Sequence, residues 1–380
     1  MARQAATTPA PSLEEQIAKS GEFAPEVFKR PIVWDQLVST GSLLADLAIS
    51  GGVNKYGGLP GRIIIQVYGP NSCGKTTLMA DTLGSVQRAG GAYKVHDGEA
   101  RLVPSYCETF GVHLNQDEVT RTGTITDVFE AIIGPLETKQ SGNTKVTKRN
   151  KEKAWEPEDS KINIYAVDSL ASLASTMEMV QGDKMSQRRA KDFSAGFRQI
   201  SDHIWKHNIL MFCTDQLRDT GQDMQGNTVQ DTTGGNAVGY YSSLRVKLSR
   251  GKDLIREIVL PGMDPKKPSK QSYGMEVNLW IRKSSLDRDH RSAKLRLIYG
   301  YGWDEIGSNL QFLKDHGYFA SRYKRTTGYE VAGKWCAALE TAIQLVEDND
   351  LEDEIREAVV EIWQEIEAQV ILPRKPKVRY

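Results

Sequence analysis

Residues 69–77, Gly-Pro-Asn-Ser-Cys-Gly-Lys-Thr-Thr, constrain this chain more than any other stretch. They fit the pattern G-x-x-x-x-G-K-[ST], with Gly69, Gly74, Lys75 and Thr76 at the fixed positions. The residues before them, Arg-Ile-Ile-Ile-Gln-Val-Tyr at 62–68, are apolar and β-branched, as a buried parallel strand should be. The residues after them, Thr-Leu-Met-Ala-Asp-Thr-Leu at 77–83, can run as a helix. Strand, glycine loop and helix together make an anion cradle, because loop N–H groups and a helix N-terminus point at one place. The candidate nucleotide-binding set is therefore Gly69, Pro70, Asn71, Ser72, Cys73, Gly74, Lys75, Thr76 and Thr77. Lys75 adds a positive charge near the β- and γ-phosphates of ATP, and the Thr76 hydroxyl is placed to ligate Mg²⁺. A chance glycine turn would lack the flanking strand and helix.

Lysine plus arginine balances aspartate plus glutamate at 49 each, so net charge points to no partner and any nucleic-acid site must be a local patch. Cys73, Cys107, Cys213 and Cys336 show no metal-ligand spacing and read as reduced thiols of a cytosolic protein. No apolar run approaches the roughly 20 residues of a membrane span, and the N-terminus lacks a signal-peptide core. The expectation is a soluble intracellular protein with no membrane partner.

Buried strands are expected at 62–68, 92–96, 162–168 and 208–214, with helices near 103–110, 126–137 and 190–207. Short strands follow near 243–248, 255–260, 276–281 and 295–299 with hairpin-like spacing. Residues 138–161 carry seven lysines and arginines and read as an inserted, solvated loop, in which Trp155 either stacks on a base or packs locally. Ser12-Leu-Glu-Glu15 resembles a capping box opening a short helix. Leu351, Ile355, Val359, Ile362, Ile366 and Val370 mark one helical face near the C-terminus. Strand–helix alternation followed by a strand-rich part gives an α/β core with a mixed sheet. Asp168 ends an apolar strand, where a magnesium-side carboxylate belongs. Glu99 lies just past the strand at 92–96, and the top edge of such a sheet gathers strand ends around a ligand.

These residues, with others in order, resemble the RecA recombinase family, including its UvsX-type phage members, over about residues 38–305. The segments are STGS at 39–42, GGLPGRIIIQVYGPNSCGKTT at 57–77, DGEA at 97–100, AVDSLASL at 166–173, DQLR at 215–218 and TTGGNA at 232–237. The resemblance implies a RecA-like P-loop NTPase core with a mixed, mainly parallel sheet over 38–303. It also implies an N-terminal helical segment for polymerisation over 1–37. Residues 304–380, which resemble the family only loosely, read from their own pattern as a small, mostly helical C-terminal domain. The resemblance implies that Glu99 polarises the attacking water, that Tyr106 stacks on adenine, and that Gln216 senses the γ-phosphate, with Lys75 completing the catalytic set. Thr76 and Asp168 would hold Mg²⁺. A second DNA loop would span about 217–235 as a mobile segment, with Arg218, Gly234, Gly235 and the adjoining Asn236 as contacts. A first DNA loop would span about 177–189, with Arg188, Arg189, Lys191 and Arg198 near phosphates and Met185 as a stacking wedge. Lys283 matches one of two lysines that reach ATP across a subunit interface, and Ser285 stands at the other. Val103 replaces the usual aspartate near adenine, Gly221 stands where a wedge is usual, and the chain ends in basic residues.

The activity this resemblance implies is DNA-dependent ATP hydrolysis by a homologous recombinase. It would form helical homo-oligomeric filaments on single-stranded DNA and exchange strands with homologous double-stranded DNA. Single-strand-binding and mediator proteins would be further partners, in the cytoplasm or, for a phage-encoded member, the host cytoplasm. A hexameric DNA motor of the same ATPase class and a non-catalytic recombination mediator remain the alternatives. Together Lys75, Glu99, Asp168 and Gln216 argue against the mediator.

Overall fold

The computed structural model describes residues 36–370 apart from 142–143, 177, 179–185, 223–227, 265 and 324–326. The N-terminal helical segment, most of the first DNA loop with Met185, and the basic C-terminus lie outside the described residues.

Helix α1 (Leu43–Ser50) is buried along its whole length. The STGS segment sets its start, because Ser39 Oγ donates to Asp46 Oδ2 at 2.5 Å and Thr40 N to Asp46 Oδ1 at 2.8 Å. Strand β1 (Ile63–Gly69) is buried at every position, as its Ile-Ile-Ile run requires, and α2 (Lys75–Arg88) follows it. Then come β2 (Tyr93–Asp97), the short α3 (Pro104–Glu108), β3 (Val119–Thr120) and α4 (Ile125–Ile133). Thr124 caps α4 by accepting from Asp127 N. Strands β4 (Leu136–Ser141) and β5 (Thr144–Arg149) pair with each other and, among the described residues, with no other strand. After them lie β6 (Asn163–Asp168), the long α5 (Ser186–Lys206), β7 (Ile209–Gln222), β8 (Thr228–Thr232) and α6 (Gly235–Tyr241). Strands β9 (Leu244–Ile258), β10 (Ser269–Ser284), β11 (Ser292–Ile298) and β12 (Gly302–Trp303) complete the sheet.

The main sheet has the order β12-β11-β10-β9-β1-β7-β6-β2-β3, with β8 paired to β7. From β9 to β3 every neighbouring pair is parallel, and from β9 to β12 every pair is antiparallel. This is the expected α/β architecture with a mixed, mainly parallel sheet. A core of Tyr165, Phe193, Phe197, Ile200, Ile204, Phe129 and Ile132 fills the space between the parallel half and α4 and α5. Phe129 meets Phe197 edge-on at 5.2 Å between centroids. Among the described residues no helix is long and apolar enough to cross a membrane.

Several elements differ from expectation. The segments at 243–248 and 255–260 are one strand, because β9 and β10 pair as a long ribbon whose register shifts absorb the irregular residues. Residues 138–161 are irregular only in their second half. Most of their first half lies in the β4–β5 hairpin, where Thr138 and Thr147 hydroxyls bond across the strands at 2.9 Å. Threonines and Val146 favour strands, and the Gly-Asn pair at 142–143 is a two-residue hairpin signal that the lysine content obscured. Likewise 217–222 and 228–232 pair as a hairpin where a mobile segment is expected. After β12 the chain forms α7 (Glu305–Asp315), α8 (Tyr318–Tyr323), a small hairpin of β13 (Tyr329–Val331) and β14 (Lys334–Cys336), α9 (Leu339–Asp348) and α10 (Glu352–Val370). The segment is mostly helical, as expected. The buried stripe of α10 is Ala358, Val359, Val360 and Trp363, however, and Val370 is exposed. Trp363 stacks on Phe312 of α7, while Val359 is buried and Leu351, Ile355, Ile362 and Ile366 of the expected face are half-buried.

Candidate nucleotide and nucleic-acid site

The parallel register brings the carboxyl ends of four strands level. Gly69 of β1 lies opposite Gln216 of β7, and Asp97 of β2 lies opposite Asp168 of β6. The phosphate loop leaves β1 at this edge. A Cβ on Gly69 would sit 2.2 Å from Leu248 O, so only glycine lets the loop start there. Gly74, at φ 90°, caps α2, and a Cβ there would meet the Trp303 ring at 2.8 Å. Lys75 is buried and donates from Nζ to Gly69 O at 3.1 Å and to Pro70 O at 2.7 Å, which leaves its third N–H for another acceptor.

Asp168 sits beside the loop. Thr76 Oγ1 donates to its Oδ2 at 2.8 Å, and Thr214 Oγ1 donates to its Oδ1. Burial raises the Asp168 pKa, the two hydroxyls oppose that shift, and the charges of Glu99 and Asp97 add to it. A buried carboxylate with acidic neighbours, a hydroxyl beside it and no cationic partner among the described residues suits a hard divalent cation such as Mg²⁺.

Glu99 is the hub of the next layer. Its Oε1 accepts from Gln216 Nε2 at 2.9 Å and from Ser169 Oγ, and its Oε2 pairs with Arg101 at 2.9 Å. Gln216 is fixed in turn by the buried Asp215, whose Oδ1 accepts from Gln216 N at 2.8 Å. Burial pushes Asp215 up to about 7. Its Oδ2 accepts from Gln66 Nε2 at 2.8 Å, and Gln66 Oε1 accepts from Arg245 Nε at 2.7 Å. Gln66, Ser169, Thr214 and Arg245 were not singled out from sequence. Gln66 carried a signal, as the one polar residue in the Ile-Ile-Ile-Gln-Val-Tyr run and fully buried. The others are ordinary until the strands are placed side by side.

The remaining candidates are dispersed. Tyr106 shares a hydrogen bond with Thr77 Oγ1 at 2.9 Å and packs edge-on to Phe110 at 5.0 Å, so α3 is tied to the phosphate-loop helix. Lys283 does not converge on the loop of its own chain. It pairs in register with Arg245, which lies opposite Gln66, three residues before Gly69. Its Nζ donates to Gly239 O and Tyr240 O, both at 2.9 Å, and burial, then the Arg245 charge, lowers its pKa. Arg189 is held by Glu178 at 2.8 Å, and Arg188 is partly buried. Arg198 is exposed, with Nε 3.4 Å from Tyr241 Oη. Arg218 is exposed two residues past Gln216 and reaches Ala171 O at 3.4 Å. Gly234 and Gly235, at φ 82° and 57°, turn the chain into α6, where Asn236 is exposed.

A phosphate loop on the central strand, which is parallel to both of its neighbours and flanked by acidic strand ends, defines a P-loop NTPase fold. The family described as RecA N-terminal domain matches residues 29–133 and 157–304, more than half of the chain. Protein RecA of Rippkaea orientalis (strain PCC 8801 / RF-1) is 29% identical over 277 residues, covering 72% of this chain and 68% of that protein. Protein RecA of Gloeothece citriformis (strain PCC 7424) is 29% identical over 274 residues, covering 72% and 66%. Protein RecA of Arthrospira platensis is 27% identical over 284 residues, covering 74% and 67%. The chain belongs to the RecA family of recombinases. The family match passes over 134–156, the stretch that holds the β4–β5 hairpin.

Proposed function

We propose that this chain is a DNA-dependent ATPase and homologous recombinase. It assembles as a helical filament on single-stranded DNA and exchanges strands with homologous double-stranded DNA in recombination and repair. The observation that carries the reading is the hydrogen bond from Gln216 to Glu99. The residue that opens the β7–β8 hairpin is fixed to the carboxylate beside the phosphate loop, so occupancy of one site bears on the geometry of the other.

In this reading the loop residues 69–77 and Lys75 hold the phosphates of ATP, and Tyr106 lies against the adenine. Thr76 and Asp168 hold Mg²⁺, which when bound draws charge from the phosphate oxygens. Glu99 orients the attacking water and takes up its proton, and Gln216 reports the γ-phosphate to the hairpin. Lys283, turned away from its own loop, serves the ATP of a neighbouring subunit. Arg188, Arg189, Arg198 and Arg218, with the backbone around Gly234, Gly235 and Asn236, hold DNA phosphates without reading bases, since pairing supplies the sequence information. An interface that joins unlike faces and does not close gives a filament. The compartment is the cytoplasm, or the host cytoplasm for a phage-encoded protein, and single-strand-binding and mediator proteins are further partners.

Electron microscopy of the chain with single-stranded DNA and a non-hydrolysable ATP analogue tests the reading. Helical filaments are expected. Closed rings would assign the chain to the hexameric motors, and isolated monomers would reject assembly on DNA.

A further inference from the structure

His203 and His207 lie one turn apart on α5, with ring centroids 4.4 Å apart. The i, i+4 spacing puts both imidazoles on one helix face. That face is covered by residues 155–157, the end of the stretch that carries the β4–β5 hairpin. One ring nitrogen of each histidine and one carboxylate oxygen of Glu156 lie within 4.8 Å of one another. The backbone on either side of Glu156 holds the rings. His203 Nε2 is 2.7 Å from Trp155 O, and His207 Nδ1 is 3.1 Å from Pro157 O. Each contact has the form of a ring N–H donated to a carbonyl, which fixes the tautomer and leaves the other nitrogen with its lone pair. For His207 that other nitrogen is Nε2. It is buried without a hydrogen-bond partner among the described residues, in a residue only 8% exposed.

A buried ring nitrogen with no partner is costly, and two imidazoles held in orientation by backbone carbonyls beside a carboxylate are the donor set of a metal site. We propose that Glu156, His203 and His207 bind a divalent d-block cation of the Zn²⁺ class, which staples the end of the inserted segment to α5. Two nitrogen ligands and one carboxylate suit Zn²⁺, Co²⁺ or Ni²⁺ rather than Mg²⁺ or Ca²⁺, and three protein ligands leave a position for water. The histidines belong to the helix shared with the family and Glu156 to the stretch the family match passes over, so the site exists only where the two meet. Nothing in the recombinase reading uses these three residues.

The test uses the full chain, stripped with a chelator and held in excess Mg²⁺ without nucleotide, with Zn²⁺ alone as the probe against a chromophoric competitor. One Zn²⁺ per chain is expected, lost in His203→Ala and His207→Ala and weakened about tenfold or more in Glu156→Gln. Glu156 is exposed, so its variant tests the site even where His207→Ala fails to fold. Co²⁺ in place of Zn²⁺ should give a ligand-field spectrum that changes in Glu156→Gln. Zn²⁺ should also slow proteolysis within the hairpin in the wild type and not in Glu156→Gln. No uptake by the wild type, or equal uptake by all variants, overturns the site. Uptake that leaves cleavage of the hairpin unchanged overturns the staple.

Discussion

Gln216 Nε2 donates to Glu99 Oε1 across 2.9 Å, although β6 lies between β7, which carries Gln216, and β2, which ends two residues before Glu99. The contact passes over the end of β6, where Ser169 donates to the same carboxylate oxygen. Glu99 is thus held by groups from both sides. Glu99→Gln keeps the side-chain shape and can still accept from Gln216, but it cannot take up a proton. ATP hydrolysis should fall on the order of a hundredfold while ATP and DNA binding persist. Steady-state phosphate release and fluorescent-nucleotide binding measure the two parts. A variant with the wild-type rate would move the base elsewhere.

Lys75 is expected to act on binding. Its ammonium is already gathered over the loop by Gly69 O and Pro70 O, so little ordering is needed to meet a phosphate. Lys75→Ala should weaken ATP binding by roughly 10- to 100-fold, the range of a charge-assisted hydrogen bond. Equilibrium titration with a fluorescent ATP analogue measures this, and unchanged affinity would place the phosphates outside the loop.

Arg218 is exposed at the start of the β7–β8 hairpin. Arg218→Ala should lower affinity for single-stranded DNA to the same degree on every sequence. The slope of log affinity against log salt should shrink by about one. Anisotropy titrations on poly-dT and a mixed sequence at several salt concentrations read both quantities. An effect confined to one sequence would contradict a backbone contact.

The parts of the molecule legible in sequence are those written in local pattern. The apolar run before Gly69 gave β1, and the loop spacing gave Lys75 and Thr76. The apolar run ending in Asp168 gave the acid that Thr76 bonds. What escaped depends on strands meeting. Thr214 and Arg245 reach Asp168 and Gln66 only because β7 and β9 flank neighbouring strands. The β4–β5 hairpin escaped for a different reason. Its lysines read as solvation, yet a two-stranded ribbon keeps such side chains in water while its threonines pair. In α10 the aliphatic periodicity holds at the buried Val359, but Trp363, with more area to bury, is covered against Phe312 while Val370 is exposed.

The inserted hairpin separates charge from packing. Lys148 and Lys151 are exposed, whereas Trp155 packs on the core with its ring 5.9 Å from that of Tyr165. Lys148→Ser with Lys151→Ser should change stability by less than about 1 kcal/mol. Trp155→Ala should cost about 1–3 kcal/mol, since a half-buried indole loses part of its contact area. Urea denaturation of the two variants checks the order. If the hairpin captures duplex DNA, the lysine variant should also slow strand exchange while ATP hydrolysis on single strands stays near normal. Unchanged exchange at several salt concentrations would remove that role.

Asp81 on α2 supplies a test in pH. Burial pushes its carboxyl up to about 7, the Arg88 charge opposes this, and the Glu305 and Asp46 charges reinforce it. Between the ordinary value of 3.8 and about 7 the folded chain holds this proton while the unfolded chain releases it. Stability therefore falls as pH rises through that window, and the cost is complete above the folded value. Asp81→Asn removes the titration and keeps the size. The variant should gain on the wild type from pH 4 to about pH 7 and hold that gap above it, by at most about 4 kcal/mol and by less after solvent relaxation. Asp46 is pushed up to about 7 in the same direction, so the variant keeps a residual slope of the same sign. Urea midpoints of both proteins at one-unit pH intervals measure the gap. A gap that stays constant from pH 4 to pH 8 would mean that Asp81 ionises in the folded chain as freely as in the unfolded one.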